Sequence, residues 1–266
     1  MTKRNRNLAA ALLTAATVAA ALLSQRSIHL PWWSFENGTN RQTLYWTPDG
    51  GPYHVEFGEI SPPCNEDDTG CWTAWWIEGY YVNGQQLSRP EVKLLSGTLV
   101  DPERVRSGNQ VAQWFTFWRP HVGGLMLRQP AVPGQDYELS AFGHSWYSNC
   151  SYWQFVHWSY PLDYDCSTAL TWAHDYLSVG IDPYGGDNPF ASWVVWSDER
   201  EIYGTYSDDP LMARARAQGD TVTLWLRSRA LWGLKHADNY WDDVAFGPRW
   251  VYWYPLMVGG VNSARD

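Results

Sequence analysis

A chain of 266 residues is long enough to bury a sizeable core in one domain. Its formal charge of −9, with no cluster of Lys and Arg beyond the N-terminus, excludes a nucleic-acid or anionic-membrane surface, because counterion release needs clustered cations. The 19 Trp and 16 Tyr exceed what a core of this size requires, so some of them belong at the surface as rims or platforms for a ligand.

In chain order, residues 1–33 come first. Lys3, Arg4 and Arg6 precede the uncharged Ala/Leu-rich run Leu8 to Leu23, the pattern of an export signal with Ala19, Ala20 and Ala21 as a small-residue cleavage region. The cleavage region lies inside the apolar run, so an uncleaved membrane anchor is the alternative. Either way the protein is expected to be secreted or at the cell surface. Residues 34–249 form the folded domain, and residues 250–266 a final strand or tail.

Within the domain, short runs of alternating hydrophobicity between turn signals predict an all-β antiparallel sandwich. The expected strands are Pro52 to Phe57, Val111 to Trp118, Gly124 to Gln129, Tyr137 to Trp146, Ser192 to Ser197, Asp220 to Ser228 and Tyr240 to Phe246. The segment Gly58 to Ser88 reads as an insertion-like loop region rather than core. In "TVTLWLRS", Val222, Leu224 and Leu226 share one face, while Thr221, Thr223, Trp225 and Arg227 share the other, which predicts one buried and one open face. In "NYWDDVAFGP", Tyr240, Asp242, Val244 and Phe246 fall in one register. That register predicts a carboxylate on an apolar face, where it needs compensation.

Four cysteines in an exported chain favour disulfides, and sequence order pairs Cys64 with Cys71 and Cys150 with Cys166. Loop-closure entropy gives the two bridges roughly 2.5 and 3 kcal/mol respectively. Zinc is the weaker reading, since neither C-x-x-C nor a partnered His spacing is present.

The opening "SFENG" (34–38) and the closing "YWDDVAF" (240–246) resemble the first and last strands of jelly-roll modules of the galactose-binding-like superfamily, among them carbohydrate-binding modules. "RVRSGNQVAQWF" and "GLMLRQPAVPGQDYELSAF" are similar to inner strands of the same modules, and "VGIDPYGGDNPFASWVVWS" to secreted proteins of filamentous soil and hot-spring bacteria. Met126 and Leu127 stand where an aromatic–Gln pair is usual, and the Cys64 to Cys71 loop has no counterpart. The resemblance implies a structural calcium tying the first strand to the last, with Glu36 and Asp242 as oxygen ligands. A hydrogen-bonded Asp242 at a strand end is the alternative, and the acidic loops "CNEDDTGC" and "DPYGGDNP" are weaker metal candidates. The resemblance also implies a glycan or polysaccharide partner.

A sugar site needs flat rings to stack on and a few polar groups to hold hydroxyls. The run Phe142 to Tyr160 offers both: Trp146, Trp153 and Trp158 as platform, and His144, Asn149 and Gln154 at the rim. Other readings are a structural or adhesive surface protein that meets a protein partner or self-assembles and, less favoured, a glycoside hydrolase. The carboxylate pairs Asp163/Asp165 and Asp182/Asp187 sit in turn contexts, and no G-x-S-x-G, H-E-x-x-H or phosphate-binding Gly loop is present. The sequence thus predicts a non-catalytic binder. Non-reducing peptide mapping is expected to recover Cys64 linked to Cys71 and Cys150 linked to Cys166; a Cys64 link to Cys150 or Cys166 would contradict that placement of the loops.

Overall fold

A computed structural model describes residues 32–33, 35, 41–45, 55–61, 72–96, 104–148 and 174–249. The four cysteines, the N-terminal segment, the tail from 250 and Glu36 lie outside these residues, as do Asn149, Trp153, Gln154 and Trp158.

The described residues contain no α-helix. They form two antiparallel sheets. In one, β13 (Leu211–Arg216), β10 (Asp136–Ser148), β15 (His236–Pro248), β8 (Gln110–Thr116) and β7 (Glu91–Ser96) lie side by side in that order, and β1 (Trp32–Trp33) also pairs with β15. In the other the order is β12 (Val195–Trp196), β11 (Asp175–Asp182), β14 (Thr221–Ala230), β9 (His121–Pro130), β4 (Thr73–Ile77), β3 (Val55–Ser61) and β2 (Arg41–Tyr45). A small hairpin, β5 (Tyr81–Val82) with β6 (Gln85–Gln86), stands apart. The expected antiparallel sandwich is therefore what the chain forms.

The layer between the sheets is apolar on both sides. Val222, Leu224 and Leu226 of β14, with Leu125 and Leu127 of β9 and Leu177 and Val179 of β11, meet Trp114, Leu139, Trp241, Val244 and Phe246 of the facing sheet. Burying each such side chain contributes about 1.5–3 kcal/mol relative to leaving it in water. The β14 alternation was legible, but its second face is not open. Trp225 is fully buried there, edge-on to Trp75 at 5.5 Å, and Phe190 packs edge-on to Trp75 at 6.3 Å. The loop that carries Phe190 supplies a third layer over this sheet.

Gly58 to Ser88 is not an insertion. It holds the second half of β3 and all of β4, β4 is a central strand between β3 and β9, and Trp72, Trp75 and Trp76 are all buried. "WTAWWI" hides its alternation because aromatic residues pack on both faces. The expected strand Ser192 to Ser197 shortens to the two residues of β12.

The last strand pairs with β1, Trp33 with Val244 and Trp32 with Ala245, just ahead of the "SFENG" segment that the resemblance took as the first strand. The register of "YWDDVAF" differs from the expected one. Ser140 pairs with Ala245 but Phe142 pairs with Asp242, so Asp243 and Val244 together oppose Ala141. This is a β-bulge, and Asp243 takes a left-handed φ of 46° within it. Across the bulge the faces exchange. Trp241, Val244 and Phe246 share the core face, leaving Tyr240 and Asp242 on the opposite one.

Gly124 marks the tightest approach between strands: a Cβ there would lie 1.8 Å from the Leu226 carbonyl oxygen. Gly124→Ala must push β9 away from β14, an overpacking cost of about 1–3 kcal/mol. Thermal melting is expected to fall by roughly 2–4 °C for each kcal/mol; an unchanged Tm would contradict this register.

Candidate functional site

β10, β15 and β8 present their outer face to the segment 104–107 and to the chain around Tyr203 and Tyr206. Strand alternation places Phe142, His144 and Trp146 on that face beside their pairing partners Asp242, Tyr240 and Asp238. On β8, Gln113 and Phe115 lie across from Tyr240 and Asp238. His144 and Trp146 thus share this face; Trp146 is partly exposed, but His144, expected at the rim, is fully buried.

Arg104 organises this face. Its guanidinium carbon lies 4.6 Å from the centre of the Trp146 ring and 5.3 Å from that of Tyr240. It donates a hydrogen bond to the Tyr240 hydroxyl at 2.5 Å and sits 3.7 Å from Asp238. The Tyr206 hydroxyl donates to the Arg104 carbonyl at 2.9 Å. His144 stacks on Tyr240 at 4.8 Å and meets Tyr206 edge-on at 4.5 Å. From Trp146 the row continues through His236, ring centres 5.8 Å apart, to Phe117 at 5.0 Å from His236. Phe117 is 47% exposed, so the row runs from a buried cation to an open aromatic edge. Ser148, from which residues 149–173 depart, pairs with His236 beside this row.

Burial sets the protonation states here. It pushes the Asp238 carboxyl up to about 6 against the opposing pull of Arg104, and it lowers His144 and His236 to about 4 each. Both imidazoles are therefore neutral near neutral pH. His144 thus acts as a neutral ring, not as a charge.

Asp242 is fully buried, and its partners are N–H groups. One oxygen accepts from the backbone N–H of Arg106 at 3.0 Å and of Ser107 at 3.1 Å, and the other from the Asp243 N–H at 2.8 Å. Asp243 accepts from the Ser107 hydroxyl at 2.7 Å and pairs with the Arg106 guanidinium, which also lies over the Phe142 ring. Burial, with the neighbouring Asp243 charge, raises Asp242 to about 7 despite these donors. Ca²⁺ requires six to eight oxygens. What surrounds Asp242 among the described residues is a set of donors, which fits an anion rather than a cation. Among the described residues no group of three or more His, Cys, Asp or Glu is placed to hold a metal.

Asp182, proposed in a carboxylate pair, is buried and shapes a turn, accepting from the Tyr184 N–H at 2.8 Å. Its partner Asp187 is exposed and lies 3.7 Å from Arg128. The sequence reading missed Arg104, Tyr206 and His236. The signal available was the cationic pair in "RVRSG", just ahead of a strand rich in aromatics.

No protein-family model and no curated protein matches the chain. Solved structures similar to it include a CBM61 module in complex with β-1,4-galactotriose, at 12% identity over 59% of this chain and 81% of that one, TM-score 0.36. Another is a Clostridium thermocellum endo-1,4-β-D-xylanase 10B fragment of CBM22-1 and GH10 modules complexed with xylohexaose, at 11% identity over 60% of this chain and 25% of that one, TM-score 0.33. A third is a Stig cyclase from Fischerella sp. TAU, at 13% identity over 82% of this chain and 97% of that one, TM-score 0.34. The chain spans only a quarter of the xylanase fragment.

Between about pH 4 and 6 the folded state keeps a proton on Asp238 that the unfolded chain, with its ordinary value of 3.8, has released. The stability this group contributes is full below pH 4 and is lost as pH rises through 6. A shift of this size corresponds to about 3 kcal/mol. Asp238→Asn, which mimics the protonated acid, is expected to lose several degrees less Tm than wild type between pH 4.5 and 7.5. Parallel Tm profiles would contradict the burial of an acid at this position.

Proposed function

We propose that the protein is a secreted or cell-surface, non-catalytic carbohydrate-binding module, and that a glycan stacks on the aromatic row Phe117, His236 and Trp146. The observation that carries this reading is the row itself. A line of rings on one sheet face is open at Phe117 and closed by the Arg104 cation, which locks the far ring by cation–π contact and supplies N–H donors beside it. A sugar ring offers C–H faces to aromatics and hydroxyls to such donors. The location outside the cell rests on residues 1–33 of the sequence alone, and Trp153, Trp158, Asn149 and Gln154, which lie outside the described residues, belong to the same proposal on the sequence alone.

The finer part of the proposal is a calcium ion at Glu36 and Asp242, which rests on the family resemblance alone; the N–H donors around Asp242 speak for hydrogen bonding instead.

A glycan array probed in calcium and again in EDTA is expected to show sugar binding that Trp146→Ala weakens by roughly 1–3 kcal/mol, about 5- to 150-fold in Kd. Phe117→Ala, at a more exposed ring, serves where Trp146→Ala disturbs Arg104. Folded variants of both that bind as wild type would place the site elsewhere. A wild type that binds no glycan in either buffer would remove the reading. A Tm that falls in EDTA and returns with calcium would support the ion.

A further inference from the structure

The loop that follows β11 is built around one carboxylate. Asp182, fully buried at the end of the strand, holds the Tyr184 backbone N–H with one oxygen and the Trp193 indole N–H with the other, at 2.8 and 3.2 Å. Each of these two residues nonetheless turns its ring outward. Tyr184 is 60% and Trp193 51% exposed, and their rings meet edge-to-face with centres 5.7 Å apart. Burying an acid in order to hold an indole by its polar edge leaves the flat face of that indole free and its orientation fixed.

The rest of the loop is pinned as firmly. Gly186 gives its carbonyl to the Thr223 hydroxyl at 2.7 Å, and a Cβ on Gly186 would lie 2.7 Å from the Asp182 carboxylate. Asn188 caps the next turn through the Phe190 N–H, and Phe190 anchors the loop on Trp75. Two large exposed rings on a rigid support need no ordering on binding, which removes much of the usual entropic cost of capture. The exposed charges Asp187 and Arg128 lie beside the loop and supply groups for hydroxyls. Rings with isolated polar partners suit a sugar better than an extended apolar protein contact.

The position gives the arrangement its consequence. β11 starts at Asp175, at the end of the sandwich where Tyr147 donates to Glu201, and finishes at Asp182. Seven steps of about 3.3 Å separate the two ends of β11 by roughly 23 Å, and the loop and the Trp146 row also lie on the outer faces of opposite sheets, so a polymer must wrap around the sandwich to reach both. We propose that Tyr184 and Trp193 form a second glycan-stacking platform at the end of the sandwich opposite the Trp146 row, so that one protein engages a long polysaccharide at two points. This inference rests on the carbohydrate-binding reading of the first row. A polymer spanning both platforms binds with an avidity that a short oligosaccharide lacks, because the second contact becomes intramolecular.

Isothermal titration with xylohexaose and with β-1,4-galactotriose, paired with affinity electrophoresis in gels containing xylan or β-1,4-galactan, tests it on the full chain. For a recognised sugar, wild type is expected to take up two oligosaccharides per chain. Trp193→Ala and Trp146→Ala should each take up one, with retardation by the polymer falling at least tenfold in either. Tyr184→Ala, at the more exposed ring, repeats the test if Trp193→Ala fails to fold. One oligosaccharide per wild-type chain, with uptake and retardation unchanged in both Tyr184→Ala and Trp193→Ala, overturns the second platform and leaves the first reading standing. Binding lost in Trp193→Ala but intact in Trp146→Ala overturns the first row and leaves this platform as the site. No uptake of either sugar and no retardation in either gel overturns both.

Discussion

The outer face of the β10–β15–β8 sheet depends on one carboxylate at one irregularity. Along the edge of β15, pairing with β8 reaches Trp241 and pairing with β1 begins at Val244. Between the two, among the described residues, the bulge at Asp242 and Asp243 has no strand beside it on that side. The segment entering β8 crosses this gap, and its partly buried Arg106 and Ser107 N–H groups find their acceptor in Asp242. Once Asp242 ionises, above about pH 7, such hydrogen bonds contribute about 1.5–3 kcal/mol, more than neutral ones. By fixing residues 106 and 107, the carboxylate also fixes Arg104 two residues earlier, and Arg104 sets the rings of Trp146 and Tyr240.

How much of this the sequence disclosed varies by element, and the reasons are physical. β14 was readable because Val222, Leu224 and Leu226 alternate with less apolar residues, the expected trace of a strand on a core. Its neighbour Trp225 was placed on an open face because a covering layer contributed by a distant loop leaves no mark on local periodicity. "WTAWWI" was taken for loop because a strand buried on both faces shows no alternation. In "YWDDVAF" the positions were right and the face was wrong: a bulge adds one residue, and Asp243 at positive φ carries no glycine to announce it. Asp242 was correctly singled out as a buried acid, while its partners, backbone N–H groups over a hundred residues away in sequence, were beyond any local pattern. At the candidate site, His144 and Trp146 were foreseen on one strand. Arg104 was not, since a single Arg in a turn looks like an ordinary solvated charge until the fold lays it on a sheet.

Polar groups are also concentrated inside the sandwich at the end where Trp146 lies. Burial holds the Asp175 carboxyl well above its ordinary range and lowers the His121 imidazole to about 3. His121 is contacted by the Thr116 and Ser228 hydroxyls and by Asn239, which in turn accepts from the Ser145 hydroxyl. The lowered imidazoles lose their contribution as pH falls below about 6.5 and the raised Asp238 loses its own as pH rises from about 4 to 6, so the two sets oppose each other across mildly acidic pH. This network spans both sheets and ties β8, β9, β10, β14 and β15 together near the candidate site. It gives the aromatic row a rigid floor.

The claim on which this account turns is that the Asp242 carboxylate accepts from the Arg106 and Ser107 amides. Amide hydrogen exchange by NMR, in buffer containing EDTA, reads those two protons directly. The account predicts both amides protected in wild type and released in Asp242→Ala, while amides in the body of β14 remain slow in both. Arg106 and Ser107 amides that exchange in wild type as fast as those of an exposed loop would contradict it.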